Sequence, residues 1–132
     1  MADFSVSVRS FVDKARDRAR ASFRGIAAEV VSEIQEKTPV RTGYLRANFS
    51  AITKDEAIPV PGSPSMSAIT KAELDDTILI VNPVAYARSV EYGYNGTTKD
   101  GKEVHRQGRG MVQQTVAEVP EIAERVVAEL TK

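Results

Sequence analysis

Residues 10–46 read SFVDKARDRARASFRGIAAEVVSEIQEKTPVRTGYLR, and this stretch decides the fold. Val12, Ala15, Ala19, Phe23, Ile26, Ala27, Val30, Val31 and Ile34 recur in it at spacings of three and four. Such spacing puts them on one stripe of an α-helix, with Asp13, Lys14, Arg16, Arg20 and Glu33 filling the other face. The pattern predicts a helix from Ser10 to Lys37, about 40 Å long and longer than most globular helices. Gly25 is its weak point, a place for a bend or a close helix contact. Pro39 ends it, because the residue before a proline is pushed out of helical geometry. Thr38 to Leu45 is then a tight connection, in which Gly43 supplies a backbone geometry that a Cβ resists.

Beyond this stretch, Leu45, Ala47, Phe49 and Ala51 alternate with Arg46, Asn48 and Ser50, predicting a strand over Tyr44–Thr53. Pro59 to Ser67 holds three prolines and a glycine and is a surface loop. Ala68 to Leu74 suits either a helical turn or a strand edge. Thr77-Ile-Leu-Ile-Val81 is a β-branched apolar run, the pattern of a central strand covered by helices. Asn82-Pro83 closes it, and Ala85–Tyr92 forms a helical turn leading out. Tyr94 to Gly110 is polar, with glycines at 96, 101, 108 and 110, and reads as a long mobile loop. Met111–Leu130 is a second amphipathic helix, interrupted by Pro120, so that either a kinked helix or two helices satisfy the pattern.

The whole predicts one α+β domain over residues 1–132: a small sheet flanked by a long N-terminal and a C-terminal helix. Loops near 55–68 and 94–110 are expected to be mobile. A chain of 132 residues suits one domain with one core. Hydrophobic residues at 42% and charged residues at 27% are ordinary globular values, which argues against disorder. No apolar signal-peptide core and no membrane-length apolar run are present, so a soluble protein is expected.

The chain has 18 basic and 18 acidic residues, and this zero net charge counts against a protein devoted to coating nucleic acid. It has no cysteine, which removes disulfides, thiolate metal sites and cysteine nucleophiles. His105 is the one histidine and lacks companions for a zinc site or an orienting partner for catalysis. The pairs Asp55/Glu56 and Asp75/Asp76 read as solvated turn carboxylates, because neighbours on an extended chain point opposite ways. No nucleophile elbow, zinc-protease helix or phosphate loop occurs. An enzyme has no foothold in these residues, and no cofactor or metal is expected.

The charge distribution says more than its sum. Residues 9–24 carry Arg9, Lys14, Arg16, Arg18, Arg20 and Arg24 against Asp13 and Asp17, six bases to two acids, or +4. Residues 118–129 carry Glu118, Glu121, Glu124 and Glu129 against Arg125, one base to four acids, or −3. Two solvated helix faces, helices facing each other within the fold, complementary patches between subunits, and a basic surface along a DNA passage all fit this pattern. Arg9, Arg16, Arg18, Arg20 and Arg24 are the candidate interface or lumen patch.

Three ordered stretches resemble the tail-completion proteins of long-tailed bacteriophages, the minor-tail-protein-Z-like and related head–tail joining proteins. The first is Thr38-Pro39-Val40-Arg41-Thr42-Gly43-Tyr44-Leu45-Arg46 after a long amphipathic helix. The second is Asn82-Pro83-Val84-Ala85-Tyr86-Ala87 followed by Val90-Glu91-Tyr92-Gly93. The third is a Gly-rich basic loop entering a C-terminal amphipathic helix. The sequence departs from the family in its Pro59–Ser67 insertion, and Arg109-Gly110-Met111 stands where relatives have an aromatic-proline step.

The resemblance implies a structural virion protein, assembled in the bacterial host cytoplasm, that completes the tail and joins it to the head. It implies no catalytic residues. Gly43 and Gly93 would permit tight turns, and Tyr86 would be a half-buried anchor with its hydroxyl hydrogen-bonded. Arg41 and Glu91 would pair across the module, across an interface, or on the surface. Expected partners are further copies in a six-fold ring, the tail terminator, tail tube and head-side connector proteins, and DNA in the lumen. A tail terminator ring, a head-side adaptor, and a small DNA-binding protein using the Arg-rich helix are the alternatives.

Overall fold

Nine short and long elements follow from these patterns in the computed structural model, which describes residues 2–131, with side chains from residue 8 onward. In order they are α1 (Ala2–Lys37), α2 (Tyr44–Ala47), β1 (Ser50–Thr53), α3 (Ser67–Lys71) and β2 (Ile78–Val81). They continue with α4 (Ala87–Tyr92), β3 (Gly93–Thr97), β4 (Glu103–Gln107) and α5 (Met111–Leu130). The fold is α+β, with two antiparallel two-stranded sheets, β1–β2 and β3–β4.

Helix α1 is the spine. It ends at Lys37 as Pro39 requires, and the buried Thr38 hydroxyl donates to the Ile34 carbonyl at 2.7 Å, closing the last turn. Along one side lies α5, antiparallel to it. Lys37 meets Glu118 at 2.9 Å near one end, and Arg125 meets Glu29 and Glu33 at 3.4 and 3.5 Å nearer the other. Its hydrogen bond to Glu118, before any other influence, holds the Lys37 ammonium above its ordinary pKa. A Cβ on Gly25 would come within 2.9 Å of the Val126 side chain, so Gly25 serves close helix contact. On its other side α1 covers β1, α2 and α3. The core there joins Val31 and Ile34 of α1 to Leu45, Phe49, Ala51, Ala68, Ala72, Val84 and Met111.

Four expectations are corrected. Tyr44–Thr53 is a helical turn and then a strand: the Ala47 amide donates to the Gly43 carbonyl at 3.0 Å, and the Asn48 side chain donates to the Tyr44 carbonyl at 2.8 Å. Leu45 and Phe49 thus reach the core at helical spacing rather than by alternation. β2 is not a central strand; it pairs only with β1, and Leu79 is exposed. Residues 94–110 hold a β-hairpin, in register Gly93↔Gln107 through Thr97↔Glu103, turning at Gly101 with φ of 83°. Finally, Val12, Ala15 and Ala19 do not face a core: residues 8–19 are exposed throughout, since α5 reaches only the middle of α1. Of the two readings of the C-terminal segment, the single helix holds, running through Pro120, whose ring sits on an exposed face.

The Pro59–Ser67 loop is fastened at several points. Gly62 N–H donates to Asn48 Oδ1 at 2.7 Å, Ser65 N–H to Ser50 Oγ at 2.9 Å, and Ala51 N–H to the Ser65 carbonyl at 2.9 Å. Glu56 ties its base, accepting from the Thr53 amide at 3.0 Å and from the Ser67 hydroxyl. The Thr53 amide first, then the Ser67 hydroxyl, holds the Glu56 carboxyl below its ordinary value. A depressed carboxylate contributes stability above the unfolded-state value of about 4.3 and loses it as pH falls through the folded value. In a carboxyl NMR titration Glu56 should therefore ionise below an ordinary glutamate, and Ser67→Ala should move its midpoint upward. A midpoint unchanged by that substitution would remove the Ser67 bond from the account.

Candidate functional site

The Thr38–Arg46 turn is built by its own side chains. The Arg46 guanidinium donates to the Thr38 carbonyl at 3.0 Å, and Gln35 donates to the Arg46 carbonyl at 3.1 Å. The Thr42 hydroxyl accepts from the Tyr44 amide at 3.3 Å. Gly43 has φ of 82°, the left-handed geometry expected of it. Leu45 is buried, while Pro39, Val40, Arg41 and Thr42 are exposed. Asn82, beside Pro83, donates to the Leu45 carbonyl at 2.9 Å and accepts from the Val84 amide. The two motif stretches therefore touch.

The second stretch docks the last helix. Glu91 is buried, and its carboxylate accepts from the Val112 amide at 2.8 Å and the Gln113 amide at 3.2 Å. These are orphan donors of the first turn of α5, at the positive end of its dipole. The helix has no side-chain cap of its own at Gly110, so a residue about twenty positions upstream supplies one. Backbone bonds add to it: Arg109 N–H donates to the Val90 carbonyl at 2.7 Å and Gly110 N–H to the Glu91 carbonyl at 3.0 Å. The two segments run so close that a Cβ on Gly93 would sit 2.6 Å from the Arg106 carbonyl. A Cβ on Gly108 would sit 2.6 Å from the Tyr92 carbonyl carbon. Gly93 also has φ of 91°. Val90 and Ala87 pack against the core from this side.

Within the chain Arg41 and Glu91 do not pair: Glu91 is spent on α5, and Arg41 forms no ion pair among the described residues. Tyr86 precedes α4 and is 47% exposed as a residue. His105 is exposed on the hairpin, its Nδ1 2.8 Å from Asn95 Oδ1 across the strands. Among the described residues no group of three potential metal ligands converges. No described helix is long and apolar enough to cross a membrane.

The basic patch divides. Arg20 bonds Glu73 at 2.8 Å and Asp17 at 3.0 Å, and Arg24 donates to the Ala72 carbonyl at 2.8 Å, so both belong to the body of the fold. The bond to Glu73 is the first cause that raises the Arg20 guanidinium above its ordinary pKa. Arg9, Lys14, Arg16 and Arg18 stand on the free half of α1 with no ion pair among the described residues. That free half carries Val8, Phe11 and Val12 into solvent, Phe11 being 75% exposed.

The family model HK97-gp10_like, described as "Bacteriophage HK97-gp10, putative tail-component", matches residues 2–93. The chain belongs to this family. No curated protein and no solved structure matches it. The match takes in the free half of α1 and both motif stretches, and it ends at Gly93, where the second motif ends. This member of the HK97-gp10-like family is accordingly a phage tail component, with the virion as its place.

Proposed function

We propose that this tail component completes the tail and joins it to the head, as a homo-oligomeric ring in the neck of the particle. One observation carries the reading. A helix in an isolated compact protein packs its apolar stripe on a core, whereas here the free half of α1 holds its stripe and four bases in solvent. An exposed stripe of this kind marks a surface made for another protein. Repetition of one heterologous contact among identical subunits closes a ring, the geometry a tubular tail end requires. The role is structural and non-enzymatic, with the tail terminator, tail tube and head-side connector as its neighbours.

A phage carrying a nonsense mutation in this chain should accumulate filled heads and finished tails that do not join. Purified protein added to such a lysate should restore joined particles. Normal yields of joined, infectious particles without the chain would end this reading.

A further inference from the structure

The outer face of α5 matches the free half of α1 in both chemistry and form. Val116, Pro120, Val127 and Leu130 lie along one side of α5, at spacings that keep them on one ridge. All four are exposed, Val116 to 60%. On one side of the ridge stand Glu124 and, farther round the helix, Glu121, both exposed and without an ion pair among the described residues. The free half of α1 presents the complement. Val8, Val12, Ala15 and Ala19 form an apolar line, flanked by Arg9 and Arg16 on one side and Arg18 on the other. Residues 8–19 span about 17 Å, and the α5 ridge from Val116 to Leu130 about 21 Å, at 1.5 Å per residue.

Within one chain the two surfaces cannot meet. Helix α5 runs antiparallel to α1 and spends its buried face, Thr115, Ile122 and Val126, on the fold. The complement must come from a second copy. We infer that the free half of α1 of one subunit lies antiparallel along the outer ridge of α5 of the next, Arg9 and Arg16 facing Glu124 and Glu121. The contact is heterologous: each subunit gives its arm to one neighbour and receives an arm from the other, so it propagates around a ring. It rests on the homo-oligomeric part of the proposed function and names the surfaces that make it.

Charge exchange in the full-length purified protein tests this directly, read by analytical ultracentrifugation over a range of protein and salt concentrations. Wild-type protein should self-associate at low salt. Arg9→Glu with Arg16→Glu should weaken association on the order of a hundred-fold, as should Glu121→Arg with Glu124→Arg. An equimolar mixture of these two double variants should assemble about as well as wild type, with the two variants in alternation, because each one's arm meets the other's ridge with opposite charge while each alone meets only like charge. The quadruple variant should regain full assembly. Circular dichroism should stay unchanged in all of them, since none of the four side chains has an ion pair among the described residues.

Wild-type protein that stays monomeric at millimolar concentration, or double variants that associate as wild type does, would overturn the contact. So would binding of duplex DNA that the Arg variant loses and the quadruple variant does not regain, together with unaltered self-association. Location of the chain in the particle is a separate readout: ring density at the junction with failed charge exchange would discard this contact and leave the proposed function standing.

Discussion

Glu91→Gln should lower the stability of the fold by about 2 kcal/mol, and Glu91→Ala by about 3 kcal/mol, within the range for charge-assisted bonds to backbone amides. The carboxylate accepts from two first-turn amides of α5 and sits where the helix dipole favours negative charge. Glutamine keeps one acceptor but gives up the charge; alanine leaves the amides of the half-buried Val112 and the exposed Gln113 without that partner. Urea unfolding should show the midpoint falling at constant slope, the sign of lost stability without a changed denatured state. Hydrogen exchange should quicken first at Val112 and Gln113. A midpoint shift under the equivalent of 0.5 kcal/mol, in the range of ordinary surface substitutions, would mean that α5 is docked by something else.

Gly93→Ala should cost about 3 to 5 kcal/mol, the strain of a left-handed residue added to a backbone collision. Gly108→Ala should cost nearly as much from the collision alone, since three backbone atoms of Glu91, Tyr92 and Gly93 lie within 2.8 Å of the added carbon. Gly43→Ala is the internal comparison. Its φ of 82° and ψ of −3° lie in the left-handed helical region, less strained for alanine than the φ of 91° and ψ of 172° at Gly93, and an added Cβ meets nothing within 4 Å, so about 1 kcal/mol is expected. Thermal unfolding of the three variants side by side would check the order. Equal losses at Gly43 and Gly93 would show that conformation, and not close approach of the two segments, accounts for the glycine at 93.

These two predictions concern a device that sequence reading located but did not understand. Val90-Glu91-Tyr92-Gly93 stands out as a motif, yet its work is done on amides more than twenty residues away, and nothing local in the chain pairs Glu91 with Val112. The available cue was an omission. Arg109-Gly110-Met111 opens a strongly amphipathic helix without a Ser, Thr, Asp or Asn to cap it, so a cap had to come from elsewhere. The pairing of Glu91 with Arg41 was an attractive alternative only because opposite charges are easy to match on paper.

The fold was legible where burial writes a period into the chain. Helices α1 and α5 stand at three- and four-residue spacing, and Pro39 and Gly43 punctuate them as their backbone constraints demand. The β3–β4 hairpin was not legible, because both its faces meet solvent: Tyr94, Asn95, Gly96 and Thr97 opposite Glu103 to Arg106 carry no apolar alternation. Asp100-Gly101 was the remaining sign of a turn. In β2 the apolar run recorded burial on one side but said nothing about how many strands pair with it. Leu45 and Phe49 satisfy a period of two and a period of four alike, and Gly43 decided for the helical turn.

The free half of α1 is the informative misreading. Its stripe continues the stripe of Phe23, Ile26 and Val30 without a break, so the sequence alone predicts a core beneath it. Among the described residues nothing packs beneath residues 8–19, and what remains is a surface with the chemistry of an interior. Arg20 and Arg24, which sequence grouped with the patch, turn inward to Glu73 and Ala72, and the outward-facing bases reduce to Arg9, Lys14, Arg16 and Arg18.

Cryo-electron microscopy of the parent virion tests the central claim most directly. The account predicts a closed ring of this chain where the tail meets the head, recognisable by a helix of 36 residues in every subunit. Intact particles that lack the chain, or that hold it only away from that junction, would contradict it.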